Sequence, residues 1–307
     1  MSNKNRKGSV KVTDPYFLSQ KSNRTSNVKD YSSKKIQKGG NTQSKKTSQN
    51  ISSSIVKFSK KLPSLKGENP NNKLSKWERT DIQVNEVLKD IFKEANVHRR
   101  DGSKAKFHSG VSPLEGFHLY DLVLQNSMSK VLEVGMAYGT SALYICQALK
   151  DSTFKKKGKS TKEKVMFSID PNQSEEWENI GILNLERADL SKYHRLIKKP
   201  SYIALAELLK CIEENSEPSF DLIFVDGMHL FDYTLVDIFF SVRMLRIGGV
   251  LVIDDIKHSG VKQAIDYITQ NYGSFLELKK ETPCSKTAAT FVKINNDKRK
   301  WNYHTHF

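Results

Sequence analysis

Four short stretches place carboxylates, glycines and a histidine directly after apolar runs. KVLEVGMAYGTS (130–141) ends a run at Glu133, then offers Gly135 and Gly139, then Thr140 and Ser141. VMFSIDPNQ (165–173) ends its run at Asp170, DLIFVDGMH (221–229) at Asp226, and GVLVIDD (249–255) at Asp254 and Asp255. Glycines after a buried strand let a ligand approach the backbone. Hydroxyls and N–H groups at the start of the following helix can hold a carboxylate or phosphate. The dinucleotide fingerprint G-x-G-x-x-G is broken by Met136-Ala137, which disfavours a nicotinamide or flavin enzyme. The acidic Glu133 suits a ligand that carries an ammonium group instead.

Asp170, at the end of the next run, is placed to accept hydrogen bonds from ribose hydroxyls. The separation from Gly135 is 35 residues, against a usual ~20. The basic stretch Lys155–Lys164, read as a surface insertion, accounts for most of the excess. The structural alternative for Asp170 is a cap on the next helix. Asp226, Asp254 and Asp255 should meet at one rim, where carboxylates repel unless protonated or bound to a cation. Oxygen-only ligands suit a hard ion such as Mg²⁺ or Ca²⁺, which could hold substrate oxygens and lower a hydroxyl pKa. The alternative is that Asp254 or Asp255 caps the helix that follows.

These residues need a parallel sheet beneath them. Apolar runs at 130–134, 165–169, 221–225 and 249–253 alternate with helical stretches at 140–150, 174–188, 201–214, 231–246 and 259–271. A weaker strand is expected near 193–198, and two last strands at 274–280 and 287–294 should form a hairpin. This predicts an α/β, Rossmann-like, doubly wound, mostly parallel seven-stranded sheet with a terminal antiparallel hairpin. Two helices precede it. Val84, Val87, Leu88, Ile91, Phe92 and Ala95 give helical spacing over 81–95, and Ser112-Pro113-Leu114-Glu115 offers a capping box for a second helix. Leu114, Phe117, Tyr120 and Leu124 mark the expected buried side of that second helix. Phe231, Tyr233, Leu235, Phe239, Phe240, Met244 and Leu245 read mostly as core. Lys104, Lys106 and His108, in the connection between the first two helices, are candidates for selecting a substrate.

The composition divides the chain. The whole sequence carries 50 Lys+Arg against 34 Asp+Glu, a net +16. Residues 1–75 hold 17 of those basic residues, three acids, 15 Ser and 9 Asn. With sparse apolar residues, that segment is expected to be a disordered basic tail, solvated or loosely bound to RNA, DNA or another polyanion. Residues 76–307 are nearly balanced and are expected to be one domain, with a helical cover at 76–128 and the core at 129–294. No signal or membrane-spanning pattern is visible, so an intracellular, cytoplasmic protein is expected. Cys146, Cys211 and Cys284 make no CxxC pair or zinc cluster, and reduced thiols are expected.

The segments LEVGMAYGTSAL, SIDPNQSEEW, FDLIFVDGMHLFDYTLVD and IGGVLVIDD, in that order, resemble the class I S-adenosylmethionine-dependent methyltransferases. The likeness covers about 112–294 and is closest to the catechol-type and antibiotic-tailoring O-methyltransferases. It implies that Glu133, Gly135 and Gly139 line the methionine part of S-adenosylmethionine, that Ser141 binds its carboxylate, Asp170 its ribose and Ser201 its adenine. It implies a metal at Asp226, Asp254 and Asp255, where catechol-type enzymes carry Asn in place of Asp255. His229 stands where those enzymes keep the Lys that removes the hydroxyl proton, and a histidine near neutral pKa could do that work. His258 is the reserve base, and related enzymes carry Asp where Met228 stands. The expected activity is O-methylation of a small-molecule or sugar hydroxyl, with Asp226 and His229 catalytic and Mg²⁺ or another divalent cation assisting. A homodimer is a candidate assembly. The rival readings are a nucleic-acid methyltransferase directed by the tail and a non-catalytic cofactor-binding module. The Asn-Pro-Pro-aromatic segment of amino-methylating enzymes is missing after Asp226, where DGMH stands.

Overall fold

The computed structural model describes residues 84–155, 163–215 and 219–303, all within one unit, Lys45–Phe307. The expected tail at 1–75 and most of the Lys155–Lys164 insertion lie outside these residues. Chain order begins with α1 (Glu86–Glu94), a two-stranded antiparallel hairpin β1 (Asn96–His98) and β2 (Lys104–Lys106), and α2 (Pro113–Gln125). Then follow β3 (Lys130–Val134), α3 (Thr140–Lys155), β4 (Val165–Ile169), α4 (Ile180–Arg187), β5 (His194–Ile197) and α5 (Ser201–Asn215). β6 (Phe220–Val225), α6 (Phe231–Met244), β7 (Leu245–Ile253), α7 (Ser259–Asn271), β8 (Leu276–Lys279) and β9 (Ala289–Lys293) complete the described elements.

The main sheet has the order β5-β4-β3-β6-β7-β9-β8, with β9 antiparallel to both neighbours and the other strands parallel. The order reverses beside β3, which places a crevice between β3 and its flanking loops, as expected of a doubly wound sheet. The strands are apolar on both faces because helices cover both. Val131, Met166, Leu222, Phe224 and Val252 face the layer of α1–α4. Leu132, Val134, Ile223, Val225 and Leu251 face the layer of α5–α7.

The capping box forms as expected: Glu115 N donates to Ser112 Oγ at 3.3 Å, and Ser112 N donates to Glu115 Oε2 at 2.8 Å. The buried face of α2 differs from expectation. Leu119, Leu122 and Val123 are buried around Gly116, whereas Leu114, Phe117, Tyr120 and Leu124 lie half-buried at its flank. Gly116 decides this, because a β-carbon there would collide with the ring of Tyr144 on α3. A glycine contributes nothing to an apolar pattern, so the point of closest helix approach was silent.

On α6 the core side is Thr234, Asp237, Ile238, Ser241 and Val242, while Phe231 and Phe239 are 39% exposed. The Arg243 guanidinium lies 3.5 Å from the Phe239 ring centroid, which covers it without burying it in the core. Met244 and Leu245 are buried as expected. The helix expected from 174 starts at Ile180, because Glu178 and Asn179 adopt left-handed φ of 50° and 56° and break any earlier turn. Among the described residues no helix is long and apolar enough to cross a membrane, and none of the three cysteines is bridged.

Candidate active site at the carboxyl rim of the sheet

The predicted residues occupy one rim and are stitched to it through the main chain. Each is the first residue beyond its strand, and each donates its amide to the last carbonyl of the neighbouring strand. Asp170 N donates to Ile197 O at 3.1 Å, Gly135 N to Ile169 O at 2.9 Å, Asp226 N to Val134 O at 2.9 Å, and Asp254 N to Val225 O at 3.0 Å. The parallel ladder therefore runs one step past the strands and fixes four loop heads together.

Gly135 and Gly139 have φ of 89° and 75°, a region that side chains with a β-carbon rarely adopt. At Gly135 there is no room either, since a β-carbon would strike the Asp226 carbonyl. The intervening loop, Met136–Tyr138, is held from below. Asp170 Oδ2 accepts from Met136 N at 3.2 Å, Ala137 N at 3.0 Å and Gln173 Nε2 at 3.0 Å, while its Oδ1 accepts from Asn172 N at 2.9 Å. Gln173 Nε2 also donates to Ala137 O at 2.7 Å, and Asn184 Nδ2 to Tyr138 O at 3.0 Å. Asp170 thus anchors the glycine loop. Its Oδ1, with one donor found, keeps acceptor capacity for a ribose hydroxyl.

Glu133 is fully buried beneath that loop, where Ser141 Oγ donates to its Oε1 and Ser168 Oγ donates to its Oε2 at 2.6 Å. Burial pushes its carboxyl up to about 8, so it is protonated at neutral pH. Glu133 and the Ser141 hydroxyl therefore engage each other rather than the crevice. The glycine loop and the N-terminal turn of α3 are left to offer backbone groups to a ligand's carboxylate.

Ser201 opens α5, half-exposed, and lies near Asp237 of α6. Asp237 is 1% exposed, and burial raises its carboxyl to about 7. It escaped notice in the sequence because it sits inside an apolar helix, FDYTLVDIFF, where an acid is easily read as exposed.

At the acceptor side, Asp226 and Asp254 are both raised by desolvation, to about 6 and about 8. Asp254 Oδ1 accepts from Asp255 N at 2.8 Å. Asp255 has a left-handed φ of 55° and points its carboxylate elsewhere, with Oδ2 2.9 Å from His229 Nε2. That contact is an ion pair off hydrogen-bond alignment, since Nε2 has no aligned acceptor. His229 Nε2 lies 3.9 Å from Asp226 Oδ1, and these two carboxylates push the imidazole up to about 10. A ring held as a cation donates hydrogen bonds or stabilises negative charge. Asp226, Asp254 and Asp255 feel one another's charge; among the described residues, the group whose ligand atoms all lie within 4.8 Å of one another is His229, Asp255 and His258. Neither Asp254 nor Asp255 caps α7, whose N-cap residue is His258.

A second group of residues closes over the glycine loop. His108 Nε2 lies 2.9 Å from Tyr138 Oη, and Trp177 meets the Tyr138 ring edge-on at 5.2 Å between centroids. Arg99, on the β1–β2 hairpin, forks onto Glu178 with Nε–Oε2 2.7 Å and Nη2–Oε1 3.0 Å. Of the three expected substrate-selecting residues, Lys104 instead pairs with Glu94 at 2.9 Å, and Lys106 lies on the hairpin strand β2. His108 reaches the crevice.

A family model described as a methyltransferase domain matches residues 132–256. Those bounds take in every rim residue above except His258. No curated protein matches the chain significantly. Among solved structures, a Klebsiella pneumoniae protein provisionally described as an O-methyltransferase shares the fold, with a TM-score of 0.50 and 14% identity over 80% of this chain and 97% of its own. An O-methyltransferase from Bacillus cereus in complex with SAH gives a TM-score of 0.43 and 19% identity over 60% of this chain and 83% of its own. The SAH-bound Podospora anserina methyltransferase PaMTH1 gives 0.48 and 16% over 61% and 80%. Over residues 132–256 the chain is therefore similar to a methyltransferase domain, carried on a doubly wound sheet of the order described above.

Proposed function

We propose that this methyltransferase acts on an oxygen, most naturally a small-molecule or sugar hydroxyl. The observation that carries the reading is the contact between the two halves of the rim. Gly135 of the cofactor loop and Asp226 of the acceptor side are packed so closely that no β-carbon fits between them. A methyl donor on the first would therefore stand directly beside the main chain that carries Asp226.

S-adenosylmethionine supplies an electrophilic methyl group on a sulfonium. The chain's own part is chiefly positioning. Gly135 and Gly139 admit the cofactor to the backbone, Asp170 holds the loop and offers Oδ1 to a ribose hydroxyl, and Ser201 lies on the adenine side. Asp226, 23% exposed at its side chain, is the group placed to accept the acceptor's proton. While no ion is bound to its ring, the His229 imidazolium beside it steadies negative charge that develops on the acceptor oxygen. Asp226, Asp254 and Asp255 offer the oxygen donors that suit Mg²⁺, and no step is routed through that ion.

The test is calorimetric titration of the full chain with S-adenosylmethionine, followed by transfer of a labelled methyl group to panels of hydroxyl-bearing small molecules, RNA and DNA. Label on a hydroxyl supports the reading. Absence of cofactor binding, label on nucleic acid only, or binding without transfer to any panel overturns it.

A further inference from the structure

We propose that His229, Asp255 and His258 form a binding site for a divalent transition-metal ion of the zinc or cobalt type. One ligand atom from each of the three lies within 4.8 Å of the others. Two imidazoles and one carboxylate are a donor set for a borderline ion, not for Mg²⁺ or Ca²⁺, which take oxygen. Three protein ligands with a position left open is also the pattern of catalytic zinc sites.

Four features point to a ligand rather than to a chance surface cluster. First, His258 holds the N-cap position of α7 yet makes no capping hydrogen bond. A histidine is a poor cap, and its ring lies against His229 instead, with centroids 4.5 Å apart and planes 22° from parallel. Second, Asp255 adopts a left-handed φ of 55°, which an aspartate accommodates, and its carboxylate comes to 2.9 Å from His229 Nε2. Third, the two loops that bear the histidines are locked together. A β-carbon on Gly260 would lie 2.6 Å from His229 O and 2.7 Å from Phe231 N, so the start of α7 packs backbone-on-backbone against the β6–α6 loop. Fourth, His229 Nε2 is buried and faces the Asp255 carboxylate at 2.9 Å, off hydrogen-bond alignment. Ligand atoms around a zinc-type ion stand about 3–4 Å apart at bond lengths of ~2.0–2.2 Å. Small rotations of His229 and the exposed His258 reach that spacing.

Any part for this ion in catalysis rests on the methyl-transfer reading above; the binding itself does not. The test uses full-length protein, stripped of metal and titrated with Co²⁺, read by the visible ligand-field absorption of the ion. The sequence also carries His304 and His306, outside the described residues, so the His304→Ala/His306→Ala double variant serves as the background. In that background a saturable Co²⁺ signal should appear that Zn²⁺ displaces and equimolar Mg²⁺ does not. His258→Ala and Asp255→Asn should each weaken binding by at least about tenfold, since loss of mere outer-shell support already costs that much. Asn at 255 tolerates the left-handed backbone, so its loss of affinity is not a folding artefact. Asp254→Asn should leave Co²⁺ affinity unchanged. The proposal is overturned if no Co²⁺ signal appears, if His258→Ala and Asp255→Asn bind as tightly as the parent, or if Asp254→Asn abolishes binding. Calorimetry with S-adenosylmethionine on the same samples separates the two readings, because cofactor binding can fail while the ion signal persists, and the reverse.

Discussion

The carbonyl oxygen of Asp226 occupies the space that a β-carbon on Gly135 would need. Gly135→Ala must therefore push the β6 loop away, and it must also hold alanine at a φ of 89°. The expected cost is at least about 2–3 kcal/mol of stability. Urea unfolding measures it. In material that remains folded by circular dichroism, S-adenosylmethionine affinity should fall at least about tenfold, the equivalent of ~1.4 kcal/mol. Unchanged affinity would show that the loop head does not touch the cofactor.

Asp170→Ala removes the acceptor for the amides of Met136 and Ala137 as well as the proposed ribose contact. Buried amides left without partners cost about 1–3 kcal/mol. Both the melting temperature and the calorimetric affinity should drop. A drop in melting temperature alone would assign Asp170 to loop support and leave the ribose to another group.

Glu133 gives a pH signature. Burial raises its folded-state pKa to about 8, above the ordinary carboxyl value of 4.5, so the folded protein holds a proton that the unfolded chain releases. The stability tied to that proton is fully present below about 4.5 and is lost as pH rises through about 8. The buried carboxyl has the thiol of Cys146 and the carboxylates of Asp170 and Asp226 nearby, and His194 reaches it through Ser168. Glu133→Gln cannot ionise. Its stability relative to the parent should rise across that window, on the order of a few kcal/mol by the alkaline end. Parallel denaturation curves at pH 5, 7 and 8.5 test this; a constant difference between the two proteins would refute it.

Gly116→Ala tests the contact that sets α2 on α3. The added methyl meets the Tyr144 ring, which is itself fully buried and has nowhere to move. Overpacking of this kind costs about 1–3 kcal/mol. Pairing the substitution with Tyr144→Leu should recover part of the loss in a double-mutant cycle.

Tyr138→Phe probes the cover over the glycine loop. It removes the contact of the Tyr138 hydroxyl with His108 while keeping the ring against Trp177. A loss of about 0.5–1.5 kcal/mol is expected. Hydrogen exchange should quicken at residues 96–110, with little change in the sheet.

The sequence by itself determined the sheet. Runs such as KVLEV and VMFSI are apolar at consecutive positions, which only a strand covered on both faces can use, and they correspond to β3 and β4 residue for residue. It also determined that Gly135, Asp170, Asp226 and Asp254 stand at strand ends, because each acid or glycine terminates an apolar run. The tertiary structure decided where those side chains point and what surrounds them. Glu133 lies in a strand, so its parity sends it beneath the glycine loop to Ser141 and Ser168, residues 8 and 35 positions away. Asp255 and Asp254 are adjacent in sequence, but the left-handed φ of Asp255 parts their carboxylates and gives one to His229. The face of α2 was hidden because its closest contact is made by Gly116. Close approach between helices is a property of two surfaces, and a single chain read in order shows only one of them.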